Sequence, residues 1–208
     1  VFQNNLIKEI IMVNKVAWIT GAGSGIGEAS AIKLASEGFA VVLSGRTKET
    51  LDMVASKCEG QVSVKPLDVS NYEDVKVVFE DIISDYGRVD VLVASAGLNA
   101  KNRNWHHVSE KDFDQIIKID LNGVFYTNRL VLETMKEQRE GLIINVSSWA
   151  GKYVTTLTGP AYTAAKHGVN ALTEGINMEA GHFGVRACAL CHGEVATPIL
   201  DKRPIPVS

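Results

Sequence analysis

An α/β fold, built as a three-layer doubly wound parallel sheet, is what this sequence predicts, and three observations predict it. Short, nearly continuous apolar runs recur at 15–20, 40–44, 89–94, 142–146 and 185–190. Strands with one wet face alternate polar and apolar residues, so unbroken runs indicate a parallel sheet covered on both sides. Segments of helical periodicity lie between the runs, giving a repeated strand–helix order with no low-complexity stretch or domain boundary. A glycine-rich turn, Gly21-Ala22-Gly23-Ser24-Gly25-Ile26-Gly27, follows the first run.

The first strand, 15–20, runs through that turn into a helix ending near residue 37. A second strand at 40–44 precedes Gly45, Arg46 and a helix over about 49–58. Residues 62–67 read as an edge strand, because Pro66 lacks the N–H that a central ladder needs. Asp68-Val69-Ser70-Asn71 supplies a turn and a cap for a helix reaching about residue 85. The strand at 89–94 ends in Ser95-Ala96-Gly97, and a polar loop to His107 leads to Ser109 as the next cap. The helix from 110 toward 137 is one long element or two broken near Gly123, since glycine is a poor helix former. A strand at 143–146, a helix from Pro160 to about 180 and a sixth strand at 185–190 complete the alternation. The last segment carries three prolines and reads as a loop. Residues 13–208 are thus expected to form a single dinucleotide-binding domain. Residues 1–12 read as an extension or upstream translated sequence rather than a docked arm.

At 208 residues, 46% hydrophobic and 22% charged, the chain supports one substantial core. A net charge of −3 and the absence of a basic–aromatic tract argue against nucleic acid as a partner. No apolar run approaches a membrane span, and the start lacks a basic region followed by a signal-like apolar core. Three cysteines, Cys58, Cys188 and Cys191, suggest reduced thiols and a cytoplasmic setting. Cys188-x-x-Cys191 has the spacing of a redox or metal pair, but Cys188 lies inside an apolar run and no second pair completes a zinc site; the structural reading is preferred. His106-His107 lacks a third ligand and reads as surface loop, so no metal is expected.

The chemistry begins at the glycines. Gly21, Gly23, Gly25 and Gly27 permit a tight turn and a close backbone approach, while the helix-start amides near Ser24 and Ile26 receive a phosphate. The spacing Gly21-x-x-x-Gly25-x-Gly27 is one residue wider at its start than the common dinucleotide fingerprint. Strand two ends without the acidic residue that accepts from both ribose hydroxyls; instead Gly45 leaves room and Arg46 offers guanidinium donors suited to a 2′-phosphate. This favours NADP over NAD. The rival reading makes Arg46 a solvated helix-start residue, with selectivity set elsewhere. Asp68 is placed to accept from an adenine amino group with Val69 against the base, or else to cap the following helix. Ala96 and Gly97 end strand four, where open parallel sheets bind ligands.

At the other end, Ser147-Ser148 closes an apolar strand, and Tyr162 and Lys166 stand at i and i+4 of a helix, on one face. An ammonium beside a phenol favours the phenolate and lowers its pKa from about 10. A hydroxyl from Ser148 then holds a substrate oxygen while the tyrosine moves a proton.

Together, Thr20 through Gly27, Asp68, Ser95-Ala96-Gly97, Ser148 and Tyr162-x-x-x-Lys166 closely resemble the short-chain dehydrogenase/reductase family, over about residues 15–197. The resemblance implies a Rossmann-type domain with seven parallel strands, assembled as a homotetramer or dimer. It implies reversible hydride transfer between a nicotinamide cofactor and an alcohol or carbonyl compound. By it, Tyr162 is the general acid in reduction and the base in oxidation, Ser148 bonds the reacting oxygen, and Lys166 holds the nicotinamide ribose and tunes Tyr162. Gly193, Val195 and Thr197 match the loop that contacts the nicotinamide side.

The sequence also departs from the pattern. Asp120 stands where the family has an asparagine, and an ionised carboxylate accepts hydrogen bonds without donating. Ser148 and Tyr162 are 14 positions apart, one more than usual. His192 replaces a proline before Gly193 and reads as a partly exposed loop residue rather than one facing substrate. Relatives continue past the Thr197 region with a lid, a helix and a seventh strand, so the C-terminal helix and last strand are expected to be missing. Trp149, Tyr153, Leu157, His192 and Asn99 are the candidates for shaping the pocket. The leading expectation is an NADP-dependent oxidoreductase; the alternative is a catalytically weak NADP-binding or assembly protein of the same fold.

Overall fold

The computed structural model describes residues 15–197. The extension expected at 1–12 and the proline-bearing segment beyond Thr197 lie outside the described residues. Strands β1 (Val16–Thr20), β2 (Ala40–Ser44), β3 (Val62–Val64), β4 (Val91–Ala94), β5 (Gly141–Val146) and β6 (Val185–Leu190) form one parallel sheet in the order β3-β2-β1-β4-β5-β6. Helices α1 (Gly25–Ser36) and α2 (Lys48–Ala55) cover one face, while α3 (Tyr72–Tyr86), α5 (Gly123–Gln138) and α6 (Pro160–Ala180) cover the other. This is the doubly wound arrangement expected, with six strands among the described residues where the family resemblance implies seven.

The two cores follow from the pleat. Successive strand residues point to opposite faces, so Val16 and Trp18 join the core beneath α3, α5 and α6 while Ala17 and Ile19 join the one beneath α1 and α2. Burying both faces removes any need for alternation, which is why β1 and β2 read as unbroken apolar runs. Trp18 is fully buried, and its indole N–H donates to Ser44 Oγ at 3.0 Å, tying β1 to β2.

The caps fall where the sequence places them. Asn71 begins α3 and accepts from the Glu73 N–H. Ser109 begins α4 (Glu110–Ile117) and accepts from the Asp112 N–H. The question near Gly123 resolves as a continuous helix with one wide turn, a π-helical segment at Lys118–Asn122 joining α4 to α5. A Cβ on Gly123 would lie 2.8 Å from Val69 Cγ2, so the glycine lets this helix press on the β3–α3 loop rather than breaking it.

One reading needs correction. The run 185–190 suggested a strand covered on both faces, with Cys188 inside it. Only Val185 is buried; Arg186, Cys188 and Leu190 are exposed on the face they share with Leu142 and Ile144. β6 is the outer strand of the described sheet, and the helices packed on it, α5 and α6, lie on its other face. No described helix is long and apolar enough to cross a membrane.

β4 starts two residues later than its apolar run because Asp90 is used as a staple. Its buried carboxylate accepts the Val16 N–H at 2.7 Å and the Arg88 Nε–H at 2.9 Å. Asp90→Ala leaves a buried N–H and a guanidinium without their acceptor and is expected to cost about 2–3 kcal/mol in urea unfolding, with the unfolding slope unchanged.

Candidate active site

In a parallel sheet every strand delivers its C-terminal end to the same edge. The chain leaves β1 toward one face and β4 toward the other, and these neighbours leave a crevice between their exit loops. The exit loops touch. Gly21 has φ of +63°, and a Cβ there would fall 2.7 Å from Ala96 N. Gly27 lets α1 seat on the turn, since a Cβ would sit 2.3 Å from the Gly21 carbonyl oxygen. Ser24 occupies the N-cap of α1 with extended backbone but makes no side-chain cap bond, so its hydroxyl and the first-turn amides remain for a ligand.

The crevice contains three chambers that share walls. The central one, about 180 Å³, is bounded by Gly21, Ser24, Gly25 and Ile26 on one side and by Ser95, Ala96 and Gly97 beneath; Asp120, Tyr162, Lys166, His192 and Thr197 close it. A second chamber is bounded by Gly45, Arg46, Asp68, Val69, Ala96 and Gly97. The third is bounded by Asn99, Arg103, Ser148, Thr158 and Tyr162 with Gly193, Glu194, Val195 and Thr197. Almost every residue singled out from the sequence therefore reaches this crevice. Among the expected catalytic and cofactor-binding residues the exceptions are Gly23, which packs against Thr50, and Gly27, which serves the turn.

Asp68 borders the second chamber and does not cap the helix. One carboxylate oxygen accepts from the Ser70 N–H and hydroxyl at 2.9 and 2.8 Å, closing the turn, whereas Asn71 is the helix cap.

Tyr162 and Lys166 leave the same face of α6, with Nζ 5.3 Å from the phenol ring centroid. Lys166 is buried; it donates to the Val146 carbonyl at 3.0 Å and forms an ion pair with Asp120 Oδ2 at 3.3 Å. Asp120 is fully buried, and its Oδ1 accepts the Leu98 N–H at 2.9 Å. Burial pushes the Asp120 carboxyl above its ordinary range, against the opposing pull of the Lys166 charge and the Leu98 N–H. For Lys166, burial acts to lower the ammonium's pKa, but the charges of Asp120 and Tyr162 and the side-chain contact with Asp120 outweigh it and hold the pKa above its ordinary value.

Ser148 caps a short 3₁₀ turn, Trp149–Gly151, and its Oγ accepts from the Ala150 N–H at 3.2 Å. That bond uses a lone pair and leaves the O–H free to donate. Its neighbour Ser147 is wholly structural, donating to Asn170 Oδ1 at 2.7 Å.

Arg103 enters the site without having been placed there from the sequence, and His192, weighed as a loop residue and as a pocket candidate, reaches it as well. His192, read as a loop residue, bounds both the central and third chambers, and its backbone carbonyl accepts from the Trp149 N–H at 2.7 Å. Arg103 is buried in the wall of the third chamber, where its Nε–H donates to the Ala100 carbonyl at 2.8 Å. No local signal marks Arg103, since it sits in a polar loop; His192 was marked only by its position before Gly193. Of the pocket candidates, Asn99 and His192 bound a chamber, whereas Trp149, Tyr153 and Leu157 are exposed, the first two with rings 4.9 Å apart.

Comparison with known proteins gives a consistent result. The family profile described as short chain dehydrogenase matches residues 15–205. An uncharacterised oxidoreductase of Staphylococcus aureus is 36% identical over 190 residues, covering 91% of this chain and 81% of that protein. A Brucella melitensis 3-ketoacyl-(acyl-carrier-protein) reductase complexed with NADH superposes with TM-score 0.86 at 33% identity, over 91% of this chain and 79% of its own. An alcohol dehydrogenase of the archaeon Thermococcus sibiricus, complexed with 5-hydroxy-NADP, gives TM-score 0.83 at 32% identity, over 93% and 82%.

Lys166→Met strands the Asp120 carboxylate in the interior and is expected to cost about 3–5 kcal/mol in urea unfolding. Adding Asp120→Asn to that variant removes the orphaned charge and is expected to recover most of the loss.

Proposed function

The chain belongs to the short-chain dehydrogenase/reductase family of oxidoreductases, and from that premise we propose that it moves hydride between NADP(H) and an alcohol or carbonyl compound, with Tyr162 exchanging the proton. The observation that carries this reading is that Tyr162 borders both the chamber beneath the glycine turn and the chamber holding Ser148.

The residues present fit a dinucleotide. The turn is stripped of side chains where Gly21 meets Ala96, and Ser24 keeps an uncommitted hydroxyl at a helix N-terminus. Gly25 and Ile26 lie beside it for the pyrophosphate, and Asp68 and Val69 flank the adenine end. Arg46 is exposed at that end beside Gly45, where its guanidinium meets a 2′-phosphate without displacing a protein partner. Gly193, Val195 and Thr197 close over the nicotinamide end. The cofactor, when bound, supplies or accepts the hydride.

The protein handles the oxygen and its proton. Ser148 donates its O–H to the substrate oxygen, while one of its two lone pairs accepts from the Ala150 N–H. In reduction Tyr162 gives its phenolic proton to that oxygen; in oxidation it takes the proton back. Lys166, fixed by Val146 and Asp120, keeps a positive charge beside the phenol and presents donors for the ribose hydroxyls.

A homo-oligomer is part of this reading. The groove between α5 and α6 exposes Phe125 beside Leu130, Leu132 and Leu172. Asn128 is buried at its floor with no hydrogen-bond partner for its side chain among the described residues. Arg129, Glu133 and Glu179 give it charges of both signs, suited to a second copy related by a two-fold axis. Unbridged Cys58, Cys188 and Cys191 support a cytoplasmic setting.

The decisive measurement follows NADPH absorbance with a broad panel of carbonyl compounds. Tyr162→Phe is expected to lower kcat by about 10²-fold or more, and a variant with full rate would remove Tyr162 from the chemistry. Cofactor binding without turnover on any substrate would favour the weak-enzyme alternative. Arg46→Ala is expected to raise KM for NADPH by about tenfold while leaving NADH nearly unchanged; equal losses for both would overturn the NADP assignment. Phe125→Glu is expected to shift the protein to monomer in sedimentation velocity.

A further inference from the structure

The geometry points to Asp120 as a positioning residue that holds Lys166 by a buried ion pair and restrains the electrostatic help the ammonium gives Tyr162, so that this one carboxylate sets the pH range over which Tyr162 exchanges its proton. The inference rests on the reading of Tyr162 as the proton donor and acceptor.

Three anchors keep Asp120 where it is. The π-helical turn at Lys118–Asn122 carries an extra residue, and its two buried side chains are Ile119 and Asp120. Leu121 of that turn packs on α6, where a Cβ on Gly168 would lie 2.8 Å from Leu121 Cδ1. The Leu98 N–H, from the loop after β4, holds Oδ1 at 2.9 Å. The carboxylate thereby reaches Lys166, whose Nζ lies 3.3 Å from Asp120 Oδ2 and 3.0 Å from the Val146 carbonyl oxygen. Even Gly97 is shaped by the pair, since a Cβ there would stand 3.0 Å from Asp120 Oδ2 and 3.6 Å from Nζ.

The consequence is electrostatic. A lone ammonium 5.3 Å from the phenol ring stabilises the phenolate. An ammonium already paired with a carboxylate presents a dipole, whose field falls off faster than that of a charge. The titratable groups bounding the central chamber are Asp120, Tyr162, Lys166 and His192, with Lys118 on the same turn exposed; Arg103 and Glu194 bound the third chamber, on the substrate side of Tyr162 and away from Nζ's own partners. Asp120 is thus the acidic side chain of the central chamber, and nothing else there cancels the ammonium.

The test is the pH dependence of kcat/KM for NADP-linked alcohol oxidation in the full chain, comparing wild type with Asp120→Asn and Asp120→Ser. Both replacements keep an acceptor for the Leu98 N–H and remove the charge, and the serine variant keeps the test alive if the asparagine variant fails to fold. The rising limb is expected to move to lower pH by about one unit or more, and the falling limb of carbonyl reduction to move with it. Asp120→Glu, which retains the charge, is expected to stay nearer wild type. A limb that stays in place or moves to higher pH overturns the inference, as does a uniform rate loss at every pH. Full activity in Tyr162→Phe sinks both this inference and the functional reading, whereas an inactive Tyr162→Phe with an unmoved Asp120→Asn profile sinks this inference alone.

Discussion

The buried pairing of Lys166 with Asp120 joins four parts of the molecule that are far apart in the chain. Lys166 belongs to α6 and bonds the last carbonyl of β5; Asp120 belongs to the π-helical turn between α4 and α5 and bonds the loop leaving β4. Both side chains are out of water, so neither tolerates loss of the other. A surface ion pair of the same length is worth little. Here the same contact fixes where α6 stands relative to the sheet, and with it the position of Tyr162 one helical turn earlier.

The remainder of the site depends on backbone meeting backbone. Gly21 and Ala96 come together because the chain exits β1 and β4 in opposite directions, and Gly21 carries no side chain where it meets the Ser95–Ala96 backbone. Above that floor the crevice divides by chemistry. The glycine turn offers amides and a free serine hydroxyl, the β2 end offers a guanidinium, and the β5 end offers a serine hydroxyl beside a phenol. On the proposed reading, this order lets a cofactor lying across the strand ends reach from the glycine turn to Tyr162.

Much of this was legible in the chain because the relevant signals are local. Unbroken apolar runs, the caps Asn71 and Ser109, and Pro160 at the start of α6 each act within a few residues. Tyr162 and Lys166 were legible as a pair since helical spacing alone puts them on one face. The readings that changed concern contacts between distant segments. Cys188 looked interior because its neighbours are apolar, yet exposure on β6 depends on what lies across the sheet face. His192 is the partly exposed loop residue expected, and the Trp149 N–H also draws its backbone carbonyl against the serine turn, so that it bounds the crevice as well. Arg103 gave no signal, since its burial depends on a loop folding back over it.

Asp120 shows where the division falls. By itself the sequence determined an α/β doubly wound sheet, a glycine turn at its first strand end, and a serine, tyrosine and lysine at its fifth, because strand pattern, turn chemistry and helical phase are properties of neighbouring residues. Only the tertiary structure decided that Asp120 faces Lys166 rather than water, because one extra residue in a helical turn rotates a side chain through the space between two segments that share no local sequence.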